Sequence, residues 1–255
     1  ALLEQISRLR EAGDLTGKLA ELLIVPDTPT LKSRRLLLVG LGSPAELSVA
    51  RWEKAAMTAA RQVSSKAGVR IAVCVPEQLG SLPRDRAVEI VATTLVVGSH
   101  GQDLYKAERS RFPFASGQIV LPPNNDTVAT TAACERGRIL GEAINLTREL
   151  VNRTPDDIYP ETFAARAQAE AEKCGLTCQV FDEKQLAAEK FNSMLAVAKG
   201  SDRPARMVVL EHRRGGRVDV GVDQPRQDHA PAEVVQGGPA RHGERADRGR
   251  RARGD

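Results

Sequence analysis

Three local arrangements in the sequence bring together residue types that can do chemistry. The first is Gly40-x-Gly42-x-x-Ala45, which follows the apolar run 35–39 and precedes a helical pattern. Small residues between a strand and a helix let a dinucleotide pyrophosphate approach the amides of a helix N-terminus. That chemistry also needs an acidic residue about 20 positions onward at the end of the second strand. The second strand here ends much later, at Pro76-Glu77, so a tight turn that requires small residues is the favoured reading. The second arrangement is Cys174-x-x-x-Cys178, which straddles a helix end and a strand. No histidine or second cysteine pair lies nearby to complete a tetrahedral zinc site, so two half-buried thiols are expected. The third is His100 in Gly98-Ser99-His100-Gly101, a loop without a partnered nucleophile, which reads as a surface histidine. His212, His229 and His242 lie in or beside the carboxy-terminal tail. The triplets starting at Asn125, Asn145 and Asn152 match a glycosylation acceptor, but acceptors require a secretory route and none is expected to be used. The terminal Arg253-Gly254-Asp255 reads as a chance tripeptide.

The elements that must position these residues alternate between strand and helix. Residues 35–39 (Arg-Leu-Leu-Leu-Val) suit a strand buried on both faces of a parallel sheet. Ser43 can cap a helix with Pro44 at its first position, and Trp52, Ala56, Ala59 and Val63 follow as its apolar stripe. Gly68 is placed to end that helix, and residues 69–75 form the next strand, so the expected first unit is a right-handed βαβ crossover. A second helix is expected over 85–97 and a short strand over 117–121, closed by Pro122-Pro123-Asn124-Asn125. The longest helical pattern runs from Thr127 to Asn152 with Ala132, Ile139, Ala143, Leu146 and Leu150 as its stripe. After the proline-bounded turn 154–160, Phe163, Ala167, Ala171 and Cys174 mark another helix that Gly175 can terminate. A strand over 177–181, a short helix over 184–189, a loop over 198–202 and a strand over 206–211 complete an α/β order.

Composition bounds the function classes. No apolar stretch approaches the roughly 18 residues of a membrane span; the best, residues 90–97, contains Thr93 and Thr94. Glu4, Arg8 and Arg10 fall where a secretory signal would be uncharged, so a cytoplasmic location is expected. The first residue is Ala1 rather than Met, which fits a processed or incompletely assigned start. Four irregularly spaced cysteines read as reduced thiols rather than a disulfide framework. The chain carries 37 Lys and Arg against 33 Asp and Glu, a formal net charge of +4. The two signs are interleaved, which reads as a solvated surface and argues against a nucleic-acid partner.

The last 41 residues differ from the rest. Residues 215–255 hold eight Arg, eight Gly and no Lys, and lack Leu, Ile, Met, Phe, Tyr and Trp. Such a segment cannot build a core and is expected to be a disordered tail. A GC-rich coding sequence read out of frame yields this composition, so a frame shift or wrongly assigned gene end near Arg213 to Arg217 is the expectation. A genuine arginine- and glycine-rich nucleic-acid tail is the rival, opposed by its seven acids and its lack of stacking aromatics.

One stretch carries more than local chemistry. Glu149-Leu150-Val151-Asn152-Arg153-Thr154-Pro155-Asp156-Asp157-Ile158-Tyr159-Pro160 resembles the turn that opens the catalytic domain of the leucyl aminopeptidase (cytosol aminopeptidase) family. Met194-Leu195-Ala196-Val197-Ala198-Lys199-Gly200-Ser201 is similar to that family's Leu-Ala-Val-Gly-x-Gly-Ser run, and residues 203–211 to the arginine-proline and strand that follow it. Upstream, residues 36–42 resemble the strand and turn of the family's amino-terminal domain. Lys190-Phe191-Asn192 departs from a Gly-Met-Gly-like turn, and Ala198 replaces a usual Gly.

The resemblance implies a macro-like three-layer amino-terminal α/β domain over 1–125, a long linking helix with the truncated start of a second α/β domain over 126–212, and a tail over 213–255. It implies a metallo-aminopeptidase that releases amino-terminal residues from peptides, uses two divalent metals (zinc, manganese or magnesium) and assembles as a homo-hexamer. The family's metal-ligand runs, Gly-Lys-Gly with Asp-Ser/Thr-Gly-Gly and later Asn-Thr-Asp-Ala-Glu-Gly-Arg, do not occur in this chain. No catalytic or metal residue is therefore assigned, substrate-binding residues stay unknown, no cofactor is expected on this chain, and the chain is expected to be inactive as given. The alternative is a non-enzymatic α/β binding or oligomerisation module, with possible nucleic-acid contact and no membrane contact.

Overall fold

A computed structural model describes residues 2–26, 28, 31–123 and 126–212. After helix α1 (Leu2–Glu11), strands β1 (Leu22–Pro26) and β2 (Arg35–Val39) pair antiparallel, Leu22 opposite Val39 and Pro26 opposite Arg35. A 3-10 turn (Pro44–Glu46) leads to α2 (Val49–Val63), then β3 (Arg70–Cys74), α3 (Arg84–Gly98) and β4 (Ser116–Val120). Strands β3 and β4 are parallel, Arg70 opposite Ser116, as a helical crossover requires. Next come α4 (Thr127–Asn152), α5 (Pro160–Cys174), β5 (Thr177–Phe181), α6 (Glu183–Ala188), α7 (Asn192–Ala198) and β6 (Met207–Glu211), with β5 and β6 neighbours in a third two-stranded sheet. The fold is α/β, and the expected bounds of the longest helix, of β2 and of β5 are those observed. The disorder and frame shift expected over 213–255 lie outside the described residues.

Several expectations are corrected. The structure does not pair β2 with β3 as the strands of a βαβ crossover. Strand β2 instead pairs with β1, which the pattern reading passed over together with α1 and α7. The short link over 27–34 explains the antiparallel sense, since parallel strands need a long crossover. Ser43 makes no side-chain cap; α2 starts later, where Ser48 Oγ accepts the Arg51 N–H at 3.4 Å.

The α4 stripe is also different. Ala132, Ile139 and Ala143 are exposed, and the buried line is Ala133, Gly137 and Gly141. The reason is close approach of α4 to α3. A Cβ on Gly137 would come within 2.7 Å of the Ala92 Cβ, and one on Gly141 within 2.7 Å of the Val96 Cβ. Thr93 Oγ1 donates to the Gly137 carbonyl at 3.1 Å, and Asn145 Nδ2 to the Val96 carbonyl at 3.2 Å. Arg136 Nε lies 3.2 Å from Glu89 Oε2 across the same interface. In α5 the buried positions are Ala164 and Ala171, while Phe163 and Cys174 are exposed.

The main core gathers Leu47, Trp52, Val75, Leu79, Leu82, Ala87, Ile90 and Val91 between α2, α3 and the loop after β3. Trp52 satisfies its indole N–H by donating to the Ala87 carbonyl at 3.0 Å, which lets the ring be buried without an orphaned donor.

Candidate functional site

The glycine turn does not present its amides to a ligand. Gly40 N–H donates to the Glu21 carbonyl at 2.8 Å and Gly42 N–H to the Gly17 carbonyl at 2.9 Å. With those donors consumed and α2 starting only at Val49, a pyrophosphate cradle of the dinucleotide kind has no geometry here. Gly42 has φ +76°, the left-handed conformation that glycine adopts without strain. The small-residue-turn reading of Gly40, Gly42 and Ala45 is the one the geometry supports.

Cys174 is exposed and Cys178 half-buried, both free. Among the described residues no group of three or more His, Cys, Asp or Glu is placed to hold a metal ion. His100 is half-buried at the end of α3, its N–H bonded to the Val97 carbonyl at 3.3 Å. Asn145 spends its amide N–H on the Val96 carbonyl of α3, and Asn152 Nδ2 donates within α4 to the Arg148 carbonyl at 2.6 Å. Asn125, His229, His242 and the terminal tripeptide lie outside the described residues; His212 is exposed.

The residues that carried the family resemblance meet at the α4–α5 corner. Glu149, in the last turn of α4, accepts two bonds from Arg153, from Nη2 at 2.6 Å and Nε at 3.2 Å. Arg166 of α5 stands 3.6 Å from its other oxygen. The Arg153 hydrogen bond, outweighing partial burial and helped by Arg166, holds the Glu149 carboxyl below the usual carboxylate range. Arg153 also reaches Asp157 at 3.7 Å, so it ties the helix end to the turn that follows.

The other side of that turn is held by Tyr105, which no pattern in the sequence singled out. Its hydroxyl donates to Asp157 Oδ2 at 2.5 Å and accepts the Thr154 N–H at 2.9 Å. The loop that carries Tyr105 is itself braced by Asp103, whose carboxylate accepts the Ser110 N–H at 2.8 Å and the Ser110 hydroxyl. A lone tyrosine in a polar loop gives no periodic signal, and only the fold brings it to a turn 49 residues away.

The second run of resemblance returns to the same corner. The Arg203 guanidinium lies 4.0 Å from the centre of the Tyr159 ring, a cation–π contact. Arg206 pairs with Glu161 at 3.5 Å, and the Ala205 N–H donates to Glu183 Oε1 at 3.1 Å. The turn 154–160 and the segment before β6 are thus fastened to each other through the start of α5.

Comparison with known proteins bears on that arrangement. Residues 1–109 match the model of the cytosol aminopeptidase family, N-terminal domain, and residues 145–222 that of the cytosol aminopeptidase family, catalytic domain. This chain belongs to the cytosol aminopeptidase family. A probable cytosol aminopeptidase of Syntrophotalea carbinolica is 33% identical over 202 residues, 78% of this chain and 41% of that protein. The cytosol aminopeptidase of Pseudomonas aeruginosa PAO1 is 30% identical over 210 residues, 81% of this chain and 42% of that protein. The solved structure of the bottromycin maturation enzyme BotP in complex with Mn is similar with a TM-score of 0.67 at 25% identity, covering 79% of this chain and 41% of that one. A mutant tomato leucine aminopeptidase shares the fold with a TM-score of 0.69. The chain therefore spans well under half the length of the relatives it matches. Among the described residues no helix is long and apolar enough to cross a membrane.

Proposed function

We propose that this chain supplies the amino-terminal domain, residues 1–125, and the opening of the catalytic domain, residues 126–212, of a metal-dependent enzyme that releases amino-terminal residues from peptides. As a 255-residue polypeptide it does not perform that hydrolysis by itself. Family membership supports the reaction class. The inactivity reading rests on the sequence, in which the Gly-Lys-Gly and Asn-Thr-Asp-Ala-Glu-Gly-Arg runs do not occur. Two divalent metals such as zinc, manganese or magnesium supply carbonyl polarisation and an activated water in such chemistry, and they need several carboxylates on rigid elements. The described residues do not fit that requirement. What they do is structural: Glu149, Arg153, Asp157 and Tyr105 fix the corner from which the catalytic region starts.

Peptide substrates, a cytoplasmic location and homo-hexamer assembly belong to the same reading for the intact enzyme. The catalytic-domain match runs on to residue 222, past Arg213 to Arg217, so the coding DNA across codons 211–255 read in all three frames decides where the family sequence stops. The assay is leucine-amide hydrolysis by the purified chain with added zinc or manganese, with no turnover expected. Metal-dependent turnover that co-purifies with the chain would overturn the inactivity reading.

A further inference from the structure

Two adjoining cavities flank the Gly40–Ser43 turn. The larger, about 770 Å³, is lined by Arg10, Lys18, Gly40, Gly42, Glu46 and Arg51 among others. The smaller, about 450 Å³, is lined by Leu41, Pro44, Leu47, Glu77, Gln78 and Leu79 among others. Leu41, Gly42 and Ser43 form a wall common to both. The turn leaving β2 at Val39 and the loop after β3 at Cys74 both contribute to this place, so it lies at the carboxyl ends of two strands. Each volume suits part of a small molecule.

The two cavities differ in chemistry. The larger one holds three cations, Arg10, Lys18 and Arg51, against the single carboxylate of Glu46, which Arg51 already engages at 2.8 Å. Arg10 and Lys18 have no carboxylate partner among the described residues. Glu21 remains an ionised carboxylate in the same segment, but it accepts the Thr16 N–H at 3.0 Å and the Gly17 N–H at 2.5 Å and makes no ion pair with Arg10 or Lys18. Despite some desolvation, those bonds hold the Glu21 carboxyl below its ordinary range. The glycines let the turn pack tightly behind the cleft: a Cβ on Gly40 would fall on the Lys18 carbonyl, and one on Gly42 would come within 3.2 Å of Arg51 Nη1. The smaller cavity is apolar along Leu41, Pro44, Leu47 and Leu79, with Glu77 and Gln78 offering hydrogen bonds at its edge.

We propose that this double cleft binds a small organic phosphate, the phosphate held by the Arg10, Lys18 and Arg51 side chains and a nucleoside-sized body lying against Leu41, Leu47 and Leu79. With the Gly40 and Gly42 amides consumed internally, the side-chain cations carry the anion. The site is independent of the aminopeptidase reading, since none of its residues takes part in the α4–α5 corner.

The test is an amide-resolved NMR titration of the 255-residue chain at low ionic strength with AMP, adenosine and inorganic phosphate as probes. AMP is expected to give saturable shifts at Lys18, Gly40 to Ser43 and Leu79 to Gly80. Inorganic phosphate moves only the Lys18 and Gly40 set, and adenosine only the Leu79 set, each more weakly. Replacing both Arg10 and Lys18 by Ala removes two exposed cations and weakens AMP binding by about tenfold or more, while Arg138→Ala on the distant surface of α4 leaves it unchanged. An unchanged melting curve shows that the double variant is folded. Non-saturable AMP shifts, AMP affinity kept in the folded double variant, or an equal loss in Arg138→Ala would overturn the site. Inorganic phosphate binding as tightly as AMP would overturn the apolar half.

Discussion

Around Trp52 the interior contains Leu47, Val75, Leu79, Leu82, Ala87, Ile90 and Val91, all under a tenth exposed. Around β5 and β6 the buried apolar side chains are Ala164, Ala171, Leu186 and Ala205. Three of those four are alanines, which bury little area and give little transfer free energy. In the same carboxy-terminal region Val197 is 83% and Leu210 50% exposed. The amino-terminal region therefore owns a core, whereas the region carrying the catalytic-domain match is held largely by ion pairs, caps and one leucine. The residue runs at 149–160 and 194–211 that carry the resemblance lie where the chain's own burial is thinnest. Specific residue runs and thermodynamic self-sufficiency are separate properties of a segment.

Four measurements can break or sharpen this contrast. The largest effect is expected from Trp52→Ala, which removes the ring at the centre of the core and leaves the Ala87 carbonyl without its donor; it should cost about 3–5 kcal/mol in urea unfolding. A loss below about 1 kcal/mol would mean the core is not centred there. Leu186→Ala should cost about 2 kcal/mol or a little more, and its effect should stay local. Hydrogen exchange should then rise over 177–211 and not over 35–75, which should be better protected than 177–211 even in the unmodified chain. Equal protection of the two segments would show that the carboxy-terminal region is as well founded as the amino-terminal one.

Gly137→Val tests whether α4 is seated by close backbone approach. A branched side chain directed at Ala92 and the Glu89 carbonyl must push α4 off α3, at about 1–3 kcal/mol, whereas Ile139→Val on the exposed face should be near neutral; both are read from denaturation midpoints. The smallest effect is the pH dependence of the corner. Because the folded Glu149 carboxyl titrates below its ordinary value of 4.5, its contribution is fully present above that value and is lost as pH falls through the lower folded value. Its pairing is worth about 0.2–1 kcal/mol. Glu149→Gln should lower stability by that amount near pH 7 and flatten the acid limb; an unchanged acid limb would remove Glu149 from the corner's electrostatics.

The sequence made the helical spans and the ends of several strands legible because local signals coincided there. Asp126 before Thr127 offers a side chain that accepts the Val128 and Ala129 N–H groups, and Pro155 follows the end of the helix at Asn152. Gly175 closes α5 with φ +66°, a conformation that glycine adopts without strain. The family runs at 149–160 and 194–211 were legible because they depend on residue identity alone.

What faced inward was a different matter. The stripe through Ile139 follows hydrophobicity, but the buried line of α4 follows size, since Ala133, Gly137 and Gly141 are the positions where another helix can come within backbone distance. Hydrophobic periodicity cannot express that preference. Likewise β2 reads as a buried strand in isolation, and its partner and direction depend on β1 and a short link. Tyr105 at the Thr154–Asp157 turn, Arg203 over Tyr159 and the basic cleft under Gly40 and Gly42 are meetings of residues far apart in the chain. The sequence by itself determined the family and most local elements, though not α1, β1, α7 or the start of α2, because capping, chain reversal and motif identity are short-range. Only the tertiary structure decided faces, partners and clefts, because those follow from which surfaces can approach each other without steric conflict.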